Sequence, residues 1–183
     1  MSIVAASPGS TRSEQNRRYQ EAALQFGPAL ERLARSYECD ASILDDLLQE
    51  IHIAIWRSFA GYDGRCSIRT WVYRVAHNTA ASHVLKRTRL KRSEFVGLEE
   101  IEAVPDCQPL ISEISAHHQA LDRVFALIHK LDPFDRQIIV AYLEDMDASS
   151  IGEMTGLSPG AVATKIYRIK LILSRRFQQE PGA

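Results

Sequence analysis

Between Arg89 and about Ser115 the chain loses the three- and four-residue apolar spacing that runs through nearly all the rest of it. That interruption bounds the fold more tightly than any other feature. A 183-residue chain divided there leaves two blocks, each the size of a small helical domain, and no room for several large ones. The break carries Glu94, Glu99, Glu100, Glu102, Pro105, Asp106 and Pro109, the composition of an acidic linker that cannot bury a core. No internal repeat or strand alternation is found. The expected fold is all-α: two small helical domains, at 16–92 and 116–177, joined by a flexible linker at 93–115. Tails at 1–15 and 178–183 flank them, the second too short for a further domain.

In the first block, Leu24, Leu30, Leu33 and Ala34 predict a helix from Tyr19 to Tyr37, with Gly27-Pro28 as a break or kink. Asp40 or Ser42 caps a stronger helix, Ile43 to Phe59, whose stripe is Leu44, Leu47, Leu48, Ile51, Ile55 and Phe59. Its opposite face is unusual. Asp46, Gln49, Glu50, Ile53 and Trp56 follow at steps of three and four, an acidic patch ending in two large exposed apolar groups. After the turn residues Gly61 to Gly64, Ser67 starts a helix reaching Lys86 or beyond. In the second block Ala116 to Leu131 is one helix. Asp132-Pro133 opens the next, with Ile138, Ile139, Tyr142 and Leu143 as its core face. Asp147 caps Ala148 to Thr155, Gly156 stops it, and Ser158-Pro159 caps a last helix to about Phe177.

The net charge of −1 hides a segregated pattern. Residues 59–92 hold eight Lys and Arg against one acid, and 148–183 hold five against two. Residues 93–122 hold seven acids and no Lys or Arg. Two basic segments set between acidic ones suit a protein that meets phosphate in two places, since cations neutralising phosphates supply sequence-independent DNA affinity. No run approaches the ~20 apolar residues of a membrane span and Met1 to Arg18 has no apolar signal core, so a cytoplasmic protein without membrane insertion is expected. Cys39, Cys66 and Cys107 are widely spaced and predict three unrelated thiols. His52 and the His117-His118 pair have no partners at metal-ligand spacing, and no cofactor or metal is expected.

Two constellations carry chemistry. Asp147 to Lys170 has the form of a helix-turn-helix, with Ile151, Met154, Leu157, Val162, Ile166 and Ile169 packing inward. Gly160, Ala161, Thr164, Lys165, Tyr167 and Arg168 fall near its outward face, where a recognition helix presents polar groups to base edges and cations to phosphates. Arg65 to Arg92 interleaves Trp71 and Tyr73 with Arg65, Arg69 and Arg74, just after Tyr62, and ends in the run Lys86-Arg87-Thr88-Arg89. Rings beside cations are what single-stranded DNA asks for: bases stack while Lys and Arg follow the backbone. Neither GxxxxGK[ST], HExxH nor GxSxG occurs, which speaks against an enzyme.

Asp46-Leu47-Leu48-Gln49-Glu50, Trp56, and Asp63-Gly64-Arg65 through Trp71-Val72-Tyr73-Arg74 to His77-Asn78 resemble region 2 of bacterial sigma factors of the extracytoplasmic-function group. Leu131-Asp132-Pro133, Tyr142-Leu143-Glu144, Ile151-Gly152-Glu153 and Gly156-Leu157-Ser158 to Arg168 resemble their region 4. The resemblance spans about residues 15–177 in the family order. It implies a non-catalytic specificity subunit that recruits core RNA polymerase, through the beta-prime clamp helices and the beta flap, and directs strand opening at chosen promoters. Asp46, Gln49, Glu50, Ile53 and Trp56 would meet core polymerase. Phe59, Tyr62, Asp63, Arg65, Trp71, Tyr73, Arg74, Asn78, Lys86 and Arg87 would meet the minus 10 element. Ser158, Thr164, Lys165, Tyr167 and Arg168 would meet the minus 35 element.

Departures from the family pattern are visible too. Arg74 and Val75 stand where primary sigma factors carry a tryptophan pair, and Ser82 and Ala163 replace residues common in relatives. An anti-sigma factor that wedges between the two domains is the further partner the family admits. The competing reading, a free-standing dimeric regulator, shares the helix-turn-helix but leaves the face of Asp46, Gln49 and Glu50 without a purpose.

Overall fold

A computed structural model of the chain describes residues 12–94 and 116–179, and every regular element among them is a helix. The first half contains α1 (Arg12–Tyr37), α2 (Ala41–Ser58), a single 3-10 turn (Phe59–Gly61) and α3 (Ile68–Glu94). The second contains α4 (Ala116–His129), α5 (Pro133–Leu143), α6 (Ala148–Thr155) and α7 (Pro159–Gln179). The expected linker therefore lies, apart from its first two residues, outside the described residues, as does most of each tail. None of the described helices is long and apolar enough to cross a membrane.

The expected caps form. Asp40 accepts the Ser42 N–H at 3.0 Å at the start of α2, and Asp132 accepts those of Phe134 and Asp135, each at 3.0 Å, with Pro133 first in α5. Asp147 accepts the Ser150 N–H at 2.8 Å, and Gly156 ends α6 in the left-handed region at φ 78°. Helix α1 is longer than expected and is not broken at Gly27-Pro28. It continues through Pro28, and it starts at Arg12, ahead of the expected boundary, because Gln15 is buried and its amide donates to the Trp56 carbonyl at 2.7 Å.

Leu30 and Leu33 of α1, Leu47, Ile51 and Ile55 of α2, Phe59, and Val72 and Ala76 of α3 make the first half's core. Ile128, Ile138, Ile139, Ile151, Val162, Ile166 and Ile169 make the second's. The two are one continuous cluster, with α3 packed on α6 and α1 on α4 and α5. The two expected helical units are both present, and where they meet α1 and α3 present Tyr37, Tyr73 and His77, each at most 1% exposed, toward the second half. Two further expectations are corrected. Tyr142 and Leu143 are 37% and 54% exposed, and Tyr142 meets the Lys170 ammonium 5.3 Å over its ring, so α5 buries Val140 and Ala141 in their stead. Cys66 is a free thiol but Cys39 is disulfide-bonded, since spacing along a chain says nothing of distance across a fold.

Candidate nucleic-acid interface

Helix α2 has two unlike faces because its apolar residues recur only at core spacing. Leu47, Ile51 and Ile55 are at most 1% exposed, while Asp46, Gln49, Glu50 and Ile53 are exposed. The Glu50 carboxylate stands 3.2 Å from His83 Nδ1 of α3, which fixes one end of the face. Trp56 differs from its neighbours. It is half-buried against α1, where its indole N–H donates to Asn16 at 2.8 Å, so only part of the ring extends the face.

Following α2, residues 59–67 turn back to α3. Phe59, expected among the DNA-facing residues, is fully buried and supports the loop from beneath, with the Tyr62 ring edge-on to it at 6.1 Å. The Tyr62 hydroxyl donates to the Cys66 carbonyl at 2.7 Å, and its ring meets Trp71 at 5.3 Å. At the tip, Asp63 accepts the Arg65 N–H at 3.1 Å and pairs with its guanidinium at 2.9 Å, around Gly64 at φ 78°. Arg74 lies 4.9 Å over the Trp71 ring and Arg18 of α1 5.6 Å over Tyr62. Arg18 was not among the expected site residues, since nothing local ties it to a loop 44 residues away.

Helix α3 divides its candidates by face. Trp71, Arg74 and Asn78 share one side, half-buried or exposed, and form a ledge of rings and cations with Tyr62 and Arg65. Arg69, Tyr73 and His77 share another that turns to the second half. Tyr73 was expected at DNA but is 1% exposed, its hydroxyl donating to Glu144 at 3.4 Å. Burial, with the Glu144 charge adding to it, pushes that phenol up to about 12. Lys86 is exposed; Arg87 is half-buried and paired with Glu38.

In the second half, Gly152 lets α6 approach the turn so closely that a Cβ there would lie 2.6 Å from the Leu157 carbonyl oxygen. Val162, Ile166 and Ile169 of α7 are buried, which leaves Thr164, Tyr167 and Arg168 exposed, Tyr167 at 70%. Ser158 is exposed at the start of α7 and accepts the Ala161 N–H at 3.3 Å. Lys165 differs from expectation: its ammonium pairs with Asp135 and stands 5.4 Å over the Phe134 ring, tying α7 to α5. Among the described residues no group of three or more His, Cys, Asp or Glu could hold a metal ion.

The geometry thus offers an acidic face, a ring-and-cation ledge and an outward recognition helix, on two units in chain order. Residues 23–90 match the family model for sigma-70 region 2, and residues 121–173 that for sigma-70 region 4, together about two thirds of the chain. This chain belongs to the extracytoplasmic-function sigma factors. Similar curated proteins agree. The sigma factor NccH of Alcaligenes xylosoxydans xylosoxydans is 27% identical, with 84% of this chain and 83% of that one covered. The sigma factor CnrH of Cupriavidus metallidurans is 27% identical over 88% and 87%. Two solved structures share the fold: CnrH in complex with the cytosolic domain of CnrY, TM-score 0.66 at 22% identity over 93% and 94% of the two chains, and RpoE in complex with the anti-sigma factor NepR from Bartonella quintana, TM-score 0.64 at 18% over 88% and 96%. As a sigma factor the protein joins core RNA polymerase and directs promoter recognition, strand opening and transcription initiation at a specific subset of promoters.

Proposed function

We propose that the three surfaces divide this work by chemistry. Asp46, Gln49, Glu50 and Ile53, extended by the edge of Trp56, grip the beta-prime clamp helices of core polymerase, and the second half meets the beta flap. Tyr62, Asp63, Arg65, Trp71, Arg74 and Asn78 hold unstacked bases of the minus 10 strand, with Lys86 and Arg87 toward its phosphates. Thr164, Tyr167 and Arg168 read the minus 35 duplex in the major groove, where hydroxyls and cations meet base edges and phosphates. Ser158 and Lys165 hold the recognition helix in place. The protein performs no covalent chemistry, works in the cytoplasm, and takes an anti-sigma factor as a further partner, a reading supported by the complex of the similar RpoE. The domain limits follow, with 16–92 and 116–177 as the two working units, the first extended to Arg12 by α1.

The observation that carries this reading is the two-faced α2, which spends a full side of a well-packed helix on exposed acid and Ile53. Transcription in vitro, with purified core polymerase and promoter fragments from the source genome, tests it. Addition of the protein is expected to start transcripts from a defined subset, and Asp46→Ala with Glu50→Ala to abolish core binding while duplex binding by α7 persists. Undiminished core binding by that double variant would remove α2 from the assignment.

A further inference from the structure

The opening turns of α1, expected in part to be tail, grip the stretch between α2 and α3 both ahead of its turn and inside it. Ahead of the turn, the Gln15 amide donates to the Trp56 carbonyl at 2.7 Å, and the Trp56 indole N–H donates to Asn16 at 2.8 Å. Inside it, the Arg18 guanidinium lies 5.6 Å over the Tyr62 ring and donates to the Tyr62 carbonyl at 3.4 Å. Arg18 is itself fixed. Its Nε donates to Glu14 at 2.9 Å, one helical turn earlier, where a carboxylate also suits the positive end of the helix.

Tyr62 is the residue on which the loop turns. Its own N–H reaches the Phe59 carbonyl only at 3.4 Å, a long hydrogen bond that holds the main chain weakly. Its ring is better seated, edge-on to Phe59 at 6.1 Å and to Trp71 at 5.3 Å, with the hydroxyl donating to the Cys66 carbonyl at 2.7 Å. Those partners come from the loop and from α3. Arg18 brings α1 to the same ring and to the carbonyl behind it, so the loop is fixed against the body of the first half and not merely against itself.

A loop that captures a base loses conformational freedom at that moment unless folding has already removed it. An anchor formed on folding takes that cost out of binding. We propose that Arg18 is a positioning residue for base capture: it holds Tyr62, and through it the Asp63-Arg65 tip and the Trp71 ring, in their binding arrangement before DNA arrives. The inference rests on the assignment of this loop to the unpaired minus 10 strand. Arg18 acts through Tyr62 and not as one more phosphate contact, since its Nε and Nη1 are engaged within the protein and its side chain is only 26% exposed.

The test uses holoenzyme assembled from the full chain and core polymerase, with a fluorescent probe cut from a promoter it transcribes and left unpaired at the minus 10 positions. The variants are Arg18→Ala, Arg18→Lys, Tyr62→Leu, Arg18→Ala combined with Tyr62→Leu, and Arg35→Ala as an exposed cation further along α1. Arg18→Ala is expected to weaken probe binding about fivefold, with helicity and core binding unchanged. Its dependence on salt stays that of the unaltered protein, because no phosphate contact is lost. Arg18→Lys, which keeps a cation over the ring, regains part of the loss, and Arg35→Ala changes nothing. Beside Tyr62→Leu the Arg18→Ala effect shrinks to about twofold or less, since the ring it works through is gone. Undiminished probe binding by Arg18→Ala overturns the proposal, as does an equal effect in both backgrounds or a salt slope shallower by about one. If Tyr62→Leu alone leaves probe binding unchanged, the loop assignment fails and the proposal with it. If Tyr62→Leu weakens binding and Arg18→Ala does not, the loop keeps its assignment and Arg18 alone is removed from it.

Discussion

His77 is fully buried at the junction, and burial holds its imidazole down to about 3, far below its ordinary range. The unfolded chain binds a proton on this residue near pH 6.5 and the folded chain does not, so stability rises with pH between those values. It is complete above about 6.5 and is lost as pH falls toward 3. From pH 7 to pH 5 this one residue removes about 2 kcal/mol of folding stability. His52 and His129, also depressed chiefly by burial, act in the same direction. Denaturant titrations at the two pH values are expected to show that loss, and His77→Gln to shrink it by about the His77 share. Arg168 is a simpler case. It is exposed on the outward side of α7, and Arg168→Ala is expected to cost about 1 to 3 kcal/mol of duplex binding in gel-shift titration, with no change in melting temperature.

Helix α6 and its turn depend on two sequence details that act through the backbone. Gly152 has no room for a methyl group against the Leu157 carbonyl. Gly152→Ala is therefore expected to lower stability by about 1 to 3 kcal/mol and to loosen the angle between α6 and α7. Its effect on duplex binding should exceed that of Asp147→Ala, which removes a cap worth about 1 kcal/mol and leaves the turn intact. Chemical denaturation with duplex binding on the same samples separates the two. At this scale the chain was largely legible beforehand. Asp40, Asp132 and Asp147 cap the helices they were expected to cap, because a cap needs only a side chain two or three residues from the N–H it accepts. Tyr142 and Leu143 were misjudged for the complementary reason: periodicity marks a face of a helix, and another element decides how far along it the core extends.

The core residues of the two halves form one cluster, so the free molecule is expected to unfold as one cooperative body. Both tryptophans, Trp56 and Trp71, lie in the first half, whereas far-UV circular dichroism reports every helix. The two signals are expected to trace one denaturation curve. A fluorescence transition separate from the dichroism transition would show that the halves unfold independently and that the junction contributes little.

Local spacing was enough for the helices, their caps, the two-sided α2 and the exposed Thr164, Tyr167 and Arg168 of α7, because each rests on contacts within about four residues of chain. The tertiary structure decided which candidates remained available. Phe59 and Tyr73 read locally as DNA-facing rings, yet Phe59 became core beneath its loop and Tyr73 came to rest under Glu144. Arg32 meets Glu144 across 112 residues of chain, and no spacing rule reaches that far. Side-chain type and periodicity say what a residue can do, and burial by a distant element determines whether it is free to do it.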